Sequence, residues 1–486
     1  MLRRLVGISI LVVAILSAHR SSAQSFEEYE RQMNARFEQF RTQAEQQYAD
    51  FYREANARYA DYLRREWPEA TIQPATPAPM PNPPQPVLFD PQTALPQIEL
   101  PSANILRPME LPKAEPAKPI PVAQEPKGKV NITLFGAECA LRADKEAFAI
   151  KMRDCTEASV ASAWQILADG RTNAMLNDCL ALRDELMLCD WAYYQLAKVI
   201  SREIYGSDTC NEAIVLQTYI LTQSGYKVRM GRTESELRIL LSSDSTIYST
   251  TYLNIGDVRF YLLHGTGGKP IYVCDFEFPG ESIFSMSINS LPKFPVAKVD
   301  ERELQSQKYS DLHVRVNNNR NLIDFFETYP YSSIENYATA SLDEEAKSTL
   351  YPVLKKAVDG MPEDVAANML INFVQTAFEY KVDKDQFGYE RPLFANETLF
   401  YPYCDCEDRA LLYATLIREL LGLEVVLLDY PDHIATAVHF NKEYKGDYLM
   451  VDGKRFLICD PTYIGANIGT CMPSYRETAV NIVQLK

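Results

Sequence analysis

The stretch YPYCDCEDRALLYATLIRELLG, residues 401–422, places two cysteines, Cys404 and Cys406, one residue apart at a helix start. Asp405 is a good N-cap, and Asp408, three residues on, completes a capping-box pattern with Asp in place of Glu. Cys406 is then the first helical residue, and Cys404 lies outside in the approach. Cys406, Ala410, Tyr413, Ala414, Ile417 and Leu421 share one face by 3–4 spacing, and Gly422 closes the helix. A thiol on the buried side of a helix N-terminus has its thiolate favoured by the macrodipole and the free N–H groups, which lowers its pKa. The same N–H groups can hold an oxyanion, so the chemistry expected at Cys406 is nucleophilic attack on an acyl carbon.

A thiol nucleophile needs a base and a group to orient it. The chain has five histidines, of which His433 and His439 follow Cys406. His433 opens the strand HIATAVHF after a Pro-Asp turn. His439 is six residues further on, on the same face, so strand parity does not choose between them. The acid candidates are Asp452, in the turn VDGK, and Asp460, in RFLICDPT.

Cys at a helix start, His opening a strand 27 residues later and Asp in a D-P-T after a further strand resemble the transglutaminase-like superfamily. Glu407, Asp408 and Arg409 complete its first motif, and Gly465 and Gly469 resemble the glycines that follow its acid. The similarity covers about residues 363–475. It implies a papain-like α+β core, with the Cys-bearing helix packed on an antiparallel sheet. In that core Cys406 attacks, His433 moves the proton and Asp460 orients the imidazole. Cys404 departs from the pattern, where a small Ser or Gly is expected; a disulfide with Cys471 or a reversible trap for Cys406 are two readings of it.

Blander readings stand beside this one. A Cys at a helix start is more often a small buried residue, and a strand His more often a satisfied polar group. Cys404, Cys406, His433, His439, Cys459 and Cys471 are soft ligands, but C-x-C with H-x₅-H fits a zinc knuckle loosely. No metal and no cofactor are expected. There is no G-x-S-x-G elbow or H-E-x-x-H helix, and HGTGGKP at 264–270 lacks the spacing of a phosphate loop.

The elements that must position these residues come in blocks. Residues 24–67 carry an 11-residue repeat (FEEYERQMNAR, FEQFRTQAEQQ, YADFYREANAR, YADYLRREWPE), which predicts one long amphipathic helix with an aromatic stripe suited to self-association or packing. Residues 68–127 hold 17 of the 29 prolines. They read as a semi-rigid linker with a reach of about 180 Å, too poor in N–H donors for regular packing. Residues 128–300 are helical and then β-rich, and residues 301–486 contain the candidate site. CNEAIVLQTYILTQSG (210–225) and CEDRALLYATLIRELLG (406–422) share the sequence Cys, acid, helix, Gly, strand. This is either an internal duplication, with the first copy degenerate and lacking its base, or a chance recurrence of a common unit.

Composition excludes one class and locates the protein. A net charge of −16 argues against nucleic acid, which is held by surplus Lys and Arg. Residues 1–23 read as a cleaved signal peptide, with Arg3 and Arg4 before the apolar Leu5–Ala18 and small residues at Ser21 and Ala23. The expected site is periplasmic or secreted. Ten cysteines there allow a disulfide framework, with Cys139, Cys155, Cys179 and Cys189 as candidate partners. The preferred function is a cysteine-dependent amide hydrolase or acyl transferase acting on a protein or peptide. The alternative is a non-catalytic cell-envelope binding module of the same fold.

Overall fold

Between Phe26 and Leu63 there is neither Gly nor Pro and a single β-branched residue, Thr42, so nothing interrupts a helix. A computed structural model describes residues 26–79, 83–93, 95–107, 117–296 and 299–485. The expected signal segment, residues 1–23, lies outside them. Helix α1 is Phe26–Leu63. The chain divides at Glu54 into two units. In the first, Tyr29, Met33, Phe37, Phe40 and Phe51 are exposed, and Arg41 pairs with Glu38 at 2.6 Å.

In the second unit the same stripe is buried at Ala55, Tyr59, Leu63 and Trp67. Tyr59 packs on Trp164 with ring centroids 4.4 Å apart, and Trp164 Nε1 donates to Asn56 Oδ1 at 2.9 Å. The proline-rich stretch follows, and it is not a free tether. It forms β1 (Glu69–Ala70), β2 (Val87–Leu88) and β3 (Ser102–Leu106), each short and each laid on an existing strand. Proline removes donors, so a chain of this composition can join a sheet at its edges only, in two- to five-residue pieces.

A hairpin, β4 (Lys129–Leu134) and β5 (Ala137–Arg142), leads to helices α2 (Glu157–Leu167), α3 (Asn173–Glu185), α4 (Asp190–Tyr205) and α5 (Asn211–Gln223). Strands β6 (Val228–Arg232), β7 (Leu237–Ser242), β8 (Tyr252–Ile255), β9 (Val258–Leu262) and β10 (Ile271–Cys274) come next. A second hairpin, β11 (Val299–Gln305) and β12 (His313–Asn319), precedes α6 (Glu344–Val358) and α7 (Glu363–Thr376). Then come β13 (Glu379–Tyr380), α8 (Ala395–Phe400), β14 (Tyr403–Cys404) and α9 (Cys406–Leu416). Strands β15 (Glu424–Asp429), β16 (Ile434–His439), β17 (Tyr448–Val451), β18 (Lys454–Cys459), β19 (Tyr463–Ile464) and β20 (Val480–Gln484) finish the chain. At 37% helix and 22% strand, with most strand pairs antiparallel and β2–β19, β3–β20 and β13–β14 parallel, this is an α+β architecture.

Two six-stranded sheets carry the unit, ordered β1-β10-β6-β7-β9-β8 and β3-β20-β15-β16-β18-β17. The orders coincide strand for strand. Each sheet follows a buried helix, α5 or α9, and each is capped at one edge by a strand of the proline-rich stretch. The loops Thr233–Glu236 and Tyr430–His433 also match in length, and each is closed by the same backbone bond at 2.9 Å, Thr233 N–H to Glu236 O and Tyr430 N–H to His433 O. Between the first helical residue and the closing Gly the second copy has two more residues (Cys406 to Gly422 against Asn211 to Gly225), and a π-turn over Ile417–Leu421 takes up part of that difference.

Helix α9 is buried along its whole length, as a helix at the centre of a domain must be. Leu411, Leu412 and Leu416 each contribute about 1.5–3 kcal/mol by burial. The face of the second sheet built from Val426, Leu428, Ala435, Ala437, Leu449 and Ile458 forms a continuous core with Leu100 of the proline-rich stretch.

After Asp460 the chain makes its closest approach at Gly469, where Asp447 N–H reaches Gly469 O at 2.8 Å. Gly469 has φ +78, and a Cβ there would stand 2.8 Å from Gly446 Cα. Gly465 has φ +84 but open space around it. Gly469→Ala therefore meets both strain and a backbone clash, and should lower unfolding stability by about 2–4 kcal/mol, against about 1–2 for Gly465→Ala. Denaturant midpoints of the two variants measure the difference; equal losses would show that the clash is relieved.

Candidate active site

The local sequence sets Cys406 at the first turn of α9. Asp408 Oδ2 accepts the Asp405 N–H at 3.2 Å, and its Oδ1 accepts the Leu393 N–H at 2.7 Å, which ties the helix start to the segment before α8. Arg302 of β11 donates to the Thr398 and Pro402 carbonyls at 3.1 and 3.0 Å and fixes the approach. Cys406 has no exposed surface. Its thiol lies 3.1 Å from Glu407 Oε2, and the sulfur also meets the backbone N–H of Ile434.

That N–H belongs to the residue after His433, which brings the thiol beside the start of β16. His433 Nε2 is 2.8 Å from Asp460 Oδ2, both side chains buried. With Nε2–H held by the carboxylate, the lone pair falls on Nδ1, which has no hydrogen-bond partner. The imidazole stacks on Tyr475 at 5.0 Å and 24°, and Tyr475 OH donates to Asp432 Oδ1 at 3.1 Å. The other oxygen of Asp460, Oδ1, accepts the Thr462 N–H at 2.8 Å, which is why the acid sits in a D-P-T.

The other candidates go elsewhere. His439 Nδ1 bonds the Arg455 carbonyl at 2.9 Å, and Asp452 pairs with Arg107 on the surface at 2.7 Å. Cys404 accepts from Arg409 Nε at 3.5 Å. Burial pushes the Cys404 thiol up to about 11 against the pull of that guanidinium. All ten cysteines are free thiols, so neither the Cys404–Cys471 bridge nor a framework through Cys139, Cys155, Cys179 and Cys189 is formed.

The expected lowering of the Cys406 pKa is reversed. Burial, then the charges of Glu407 and Asp405, push the thiol well above its ordinary range, and the Ile434 N–H opposes them without prevailing. A helix dipole equivalent to about half a charge does not outweigh desolvation and two flanking carboxyls.

Those carboxyls belong to a larger group. Asp383, Glu390 and Glu407, and likewise Asp383, Asp405 and Asp408, each place one ligand oxygen within 4.8 Å of the others. Among the described residues no Lys or Arg forms an ion pair with any of the five. Both oxygens of Asp405, Oε1 of Glu407 and Oε1 of Glu390 lack hydrogen-bond partners. Burial and the neighbouring acids push Asp383, Asp405 and Asp408 up, and Glu390 up to about 8. Unpaired buried carboxylate oxygens at this spacing fit a hard divalent cation such as calcium, not the soft Cys and His set. Millimolar calcium at pH 8 should raise the denaturation midpoint relative to chelator, by about 2.7 kcal/mol at a hundred times Kd. Asp383→Asn should remove that response. Identical midpoints with calcium and with chelator would mean that protons, not a cation, neutralise the group.

Sequence reasoning missed Asp383, which opens a short helix Asp383–Gln386, Glu390 in the loop between that helix and α8, and Gln375 on α7. Gln375 Nε2 donates to the Tyr463 and Ala466 carbonyls at 2.8 and 3.1 Å, and its Oε1 accepts the Gly465 N–H at 3.1 Å. It pins the turn that follows Asp460. A lone Gln inside the buried run INFVQT is the sequence signal for such a role.

The first copy has the frame without these groups. Asn211 Oδ1 accepts the Leu237 N–H at 2.8 Å, the place of Cys406 against Ile434, so Asn211, not Cys210, is the counterpart of Cys406. The matched loops put Glu236 where His433 stands, paired with Arg238 at 2.5 Å. Continuing the β7–β9 register puts His264 where Asp460 stands. No protein-family model, curated protein or solved structure matches this chain.

Proposed function

We propose that residues 301–486 form a transglutaminase-like, papain-like catalytic domain, a cysteine-dependent amide hydrolase or acyl transferase acting on a protein or peptide. The observation that carries this reading is the buried His433–Asp460 contact at 2.8 Å with Nδ1 left unpaired beside the residue that touches Cys406. Cys406 Sγ attacks the acyl carbon while Nδ1 takes the thiol proton. The negative charge moves to the acyl oxygen, facing the free N–H groups at the start of α9. The C–N bond then breaks as Nδ1 returns the proton to the leaving amine. Water or a second amine, deprotonated by the same nitrogen, releases the acyl group and restores the thiol.

With the thiol held protonated by its surroundings, the general base is obligatory. Asp460→Asn would donate to the ring and reverse its tautomer, leaving a proton where the lone pair is needed. A second reading is favoured by the complete burial of Cys406 and His433: a binding module that keeps a former catalytic frame. The segment 1–23 supports a periplasmic or secreted setting for either, and the aromatic repeat of α1 supports self-association.

The two are separated by screening amide and peptide libraries. Wild-type turnover should vanish in Cys406→Ala and fall about 100-fold or more in Asp460→Asn, with His433→Ala no better. Turnover that survives Cys406→Ala would assign the chemistry elsewhere, and no turnover in the wild type, with its thiol demonstrably accessible, would leave the binding module.

A further inference from the structure

Cys406 and His433 have no exposed surface, yet a substrate acyl group must reach both. Tyr380 of β13 pairs with Cys404 of β14, two residues before Cys406. Its hydroxyl donates to the Pro84 carbonyl at 2.6 Å. Three residues later β2 runs parallel to β19, with Val87 beside Tyr463 and Leu88 beside Ile464, and Phe89 N–H reaches Ile464 O at 2.9 Å. β19 begins three residues after Asp460. The Phe89 ring meets Tyr463 edge-on at 5.5 Å. The proline-rich chain thus holds, at once, the strand paired with the approach to Cys406 and the strand that follows Asp460.

Its grip is uneven. From Pro96 to Leu106 the chain is fastened by β3 on β20, by Leu100 in the core, and by Asp447 Oδ1 on the Ile98 N–H at 3.0 Å. Over 84–89 it is held by two paired residues, the Phe89 N–H to Ile464 bond, one phenol bond and the Phe89 ring, which packs on the edge of the sheet core at Tyr463. Val87 and Leu88 turn outward, Leu88 with 76% of its surface exposed. A segment bound mainly by its backbone, with Phe89 at the edge of the core as its one large apolar anchor, is released at the cost of that single ring's packing.

We propose that residues 83–91, PPQPVLFDP, are a displaceable strap that keeps the site closed, occupying the rim where an extended polypeptide substrate pairs with β19. This rests on the reading of Cys406 as the acceptor of the acyl group. The substrate class is an unfolded or looped polypeptide with an extended, unpaired backbone, bound by strand addition. Folded domains and isolated amino-acid amides lack that backbone and do not displace the strap.

The test uses full-length protein and peptide-resolved alkylation of Cys406 by iodoacetamide, with Cys404 and Cys459 as buried controls. Phe89→Pro removes the bond to Ile464, and Tyr380→Phe removes the bond to Pro84. Each should speed Cys406 alkylation at least tenfold, and the pair more, while the controls stay slow. Adding the synthetic peptide of residues 83–91 should slow it again, and a scrambled peptide should not. Unchanged Cys406 alkylation in both variants overturns the strap. If a variant unfolds, all three cysteines label together, and the wild type then decides: amide exchange at Phe89 and alkylation of Cys406 should report the same degree of opening. A freely exchanging Phe89 amide above a fully protected Cys406 overturns the proposal. Fast alkylation without amide turnover keeps the strap and fails the enzyme reading; turnover by a wild type whose strap never opens does the reverse.

Discussion

Five carboxyl groups, four of them buried, and a thiol share the start of α9, and among the described residues no basic side chain is in ion-pair contact with the five acids. Burying even one unpaired carboxylate costs several kcal/mol, so the group exists folded only if protons or a bound cation neutralise it. The rest of the second copy reads as the apparatus that tolerates this. α9 is buried all round and enters from an approach fastened by Arg302. Arg409, the nearest guanidinium in sequence, is turned away to Cys404 Sγ at 3.5 Å and the Phe378 carbonyl at 2.9 Å, so it balances none of the acids. A fold selected for stability alone has no use for that arrangement, because apolar residues of the same volume pack there at no electrostatic cost. Retaining the acids makes the state of the helix start depend on what binds it.

The repeated sheet shows which part of this is scaffold. Both copies share strand order, matched loops and a helix whose first residue accepts the N–H that opens the next strand. One presents Asn211, Glu236 and His264, the other Cys406, His433 and Asp460. The same backbone order therefore accommodates two different sets of side chains, and the particular residues of the second copy are not a requirement of its architecture. In the first copy Glu236 is paired with Arg238, whereas the five acids at the start of α9 have no such partner among the described residues.

Much of the site was readable along the chain because it sits on punctuation. Asp405 and Asp408 mark the helix start, Pro431-Asp432 the turn before His433, and D-P-T the acid. His433 and His439 could not be separated by parity; the Asp460 carboxylate separates them. The direction of the Cys406 pKa was misjudged because helix polarity is visible in sequence whereas desolvation is a property of the packed site. Asp383 and Glu390 were invisible for a related reason: they join Glu407 across 24 and 17 residues of chain that no single periodicity spans. The pairing of Cys210 with Cys406 was off by one, since alignment on sulfur ignored that the N-cap position, held by Cys210 and Asp405, is what the geometry repeats.

The proline-rich stretch is the most instructive departure. Prolines every few residues forbid a ladder of any length, and a linker follows if regular structure is the only alternative. Edge strands of two to five residues escape that objection, since each needs only one or two N–H groups facing a partner. The stretch supplies them at Ala70, Phe89 and Leu100, between its prolines rather than in spite of them. A polyproline chain also loses little entropy when fixed, having been extended already. The composition that appeared to forbid packing is thus the one suited to a long strap, bound lightly wherever its partners are few. Its lightest binding falls over 84–89, where it meets Tyr380 and the strand that follows Asp460.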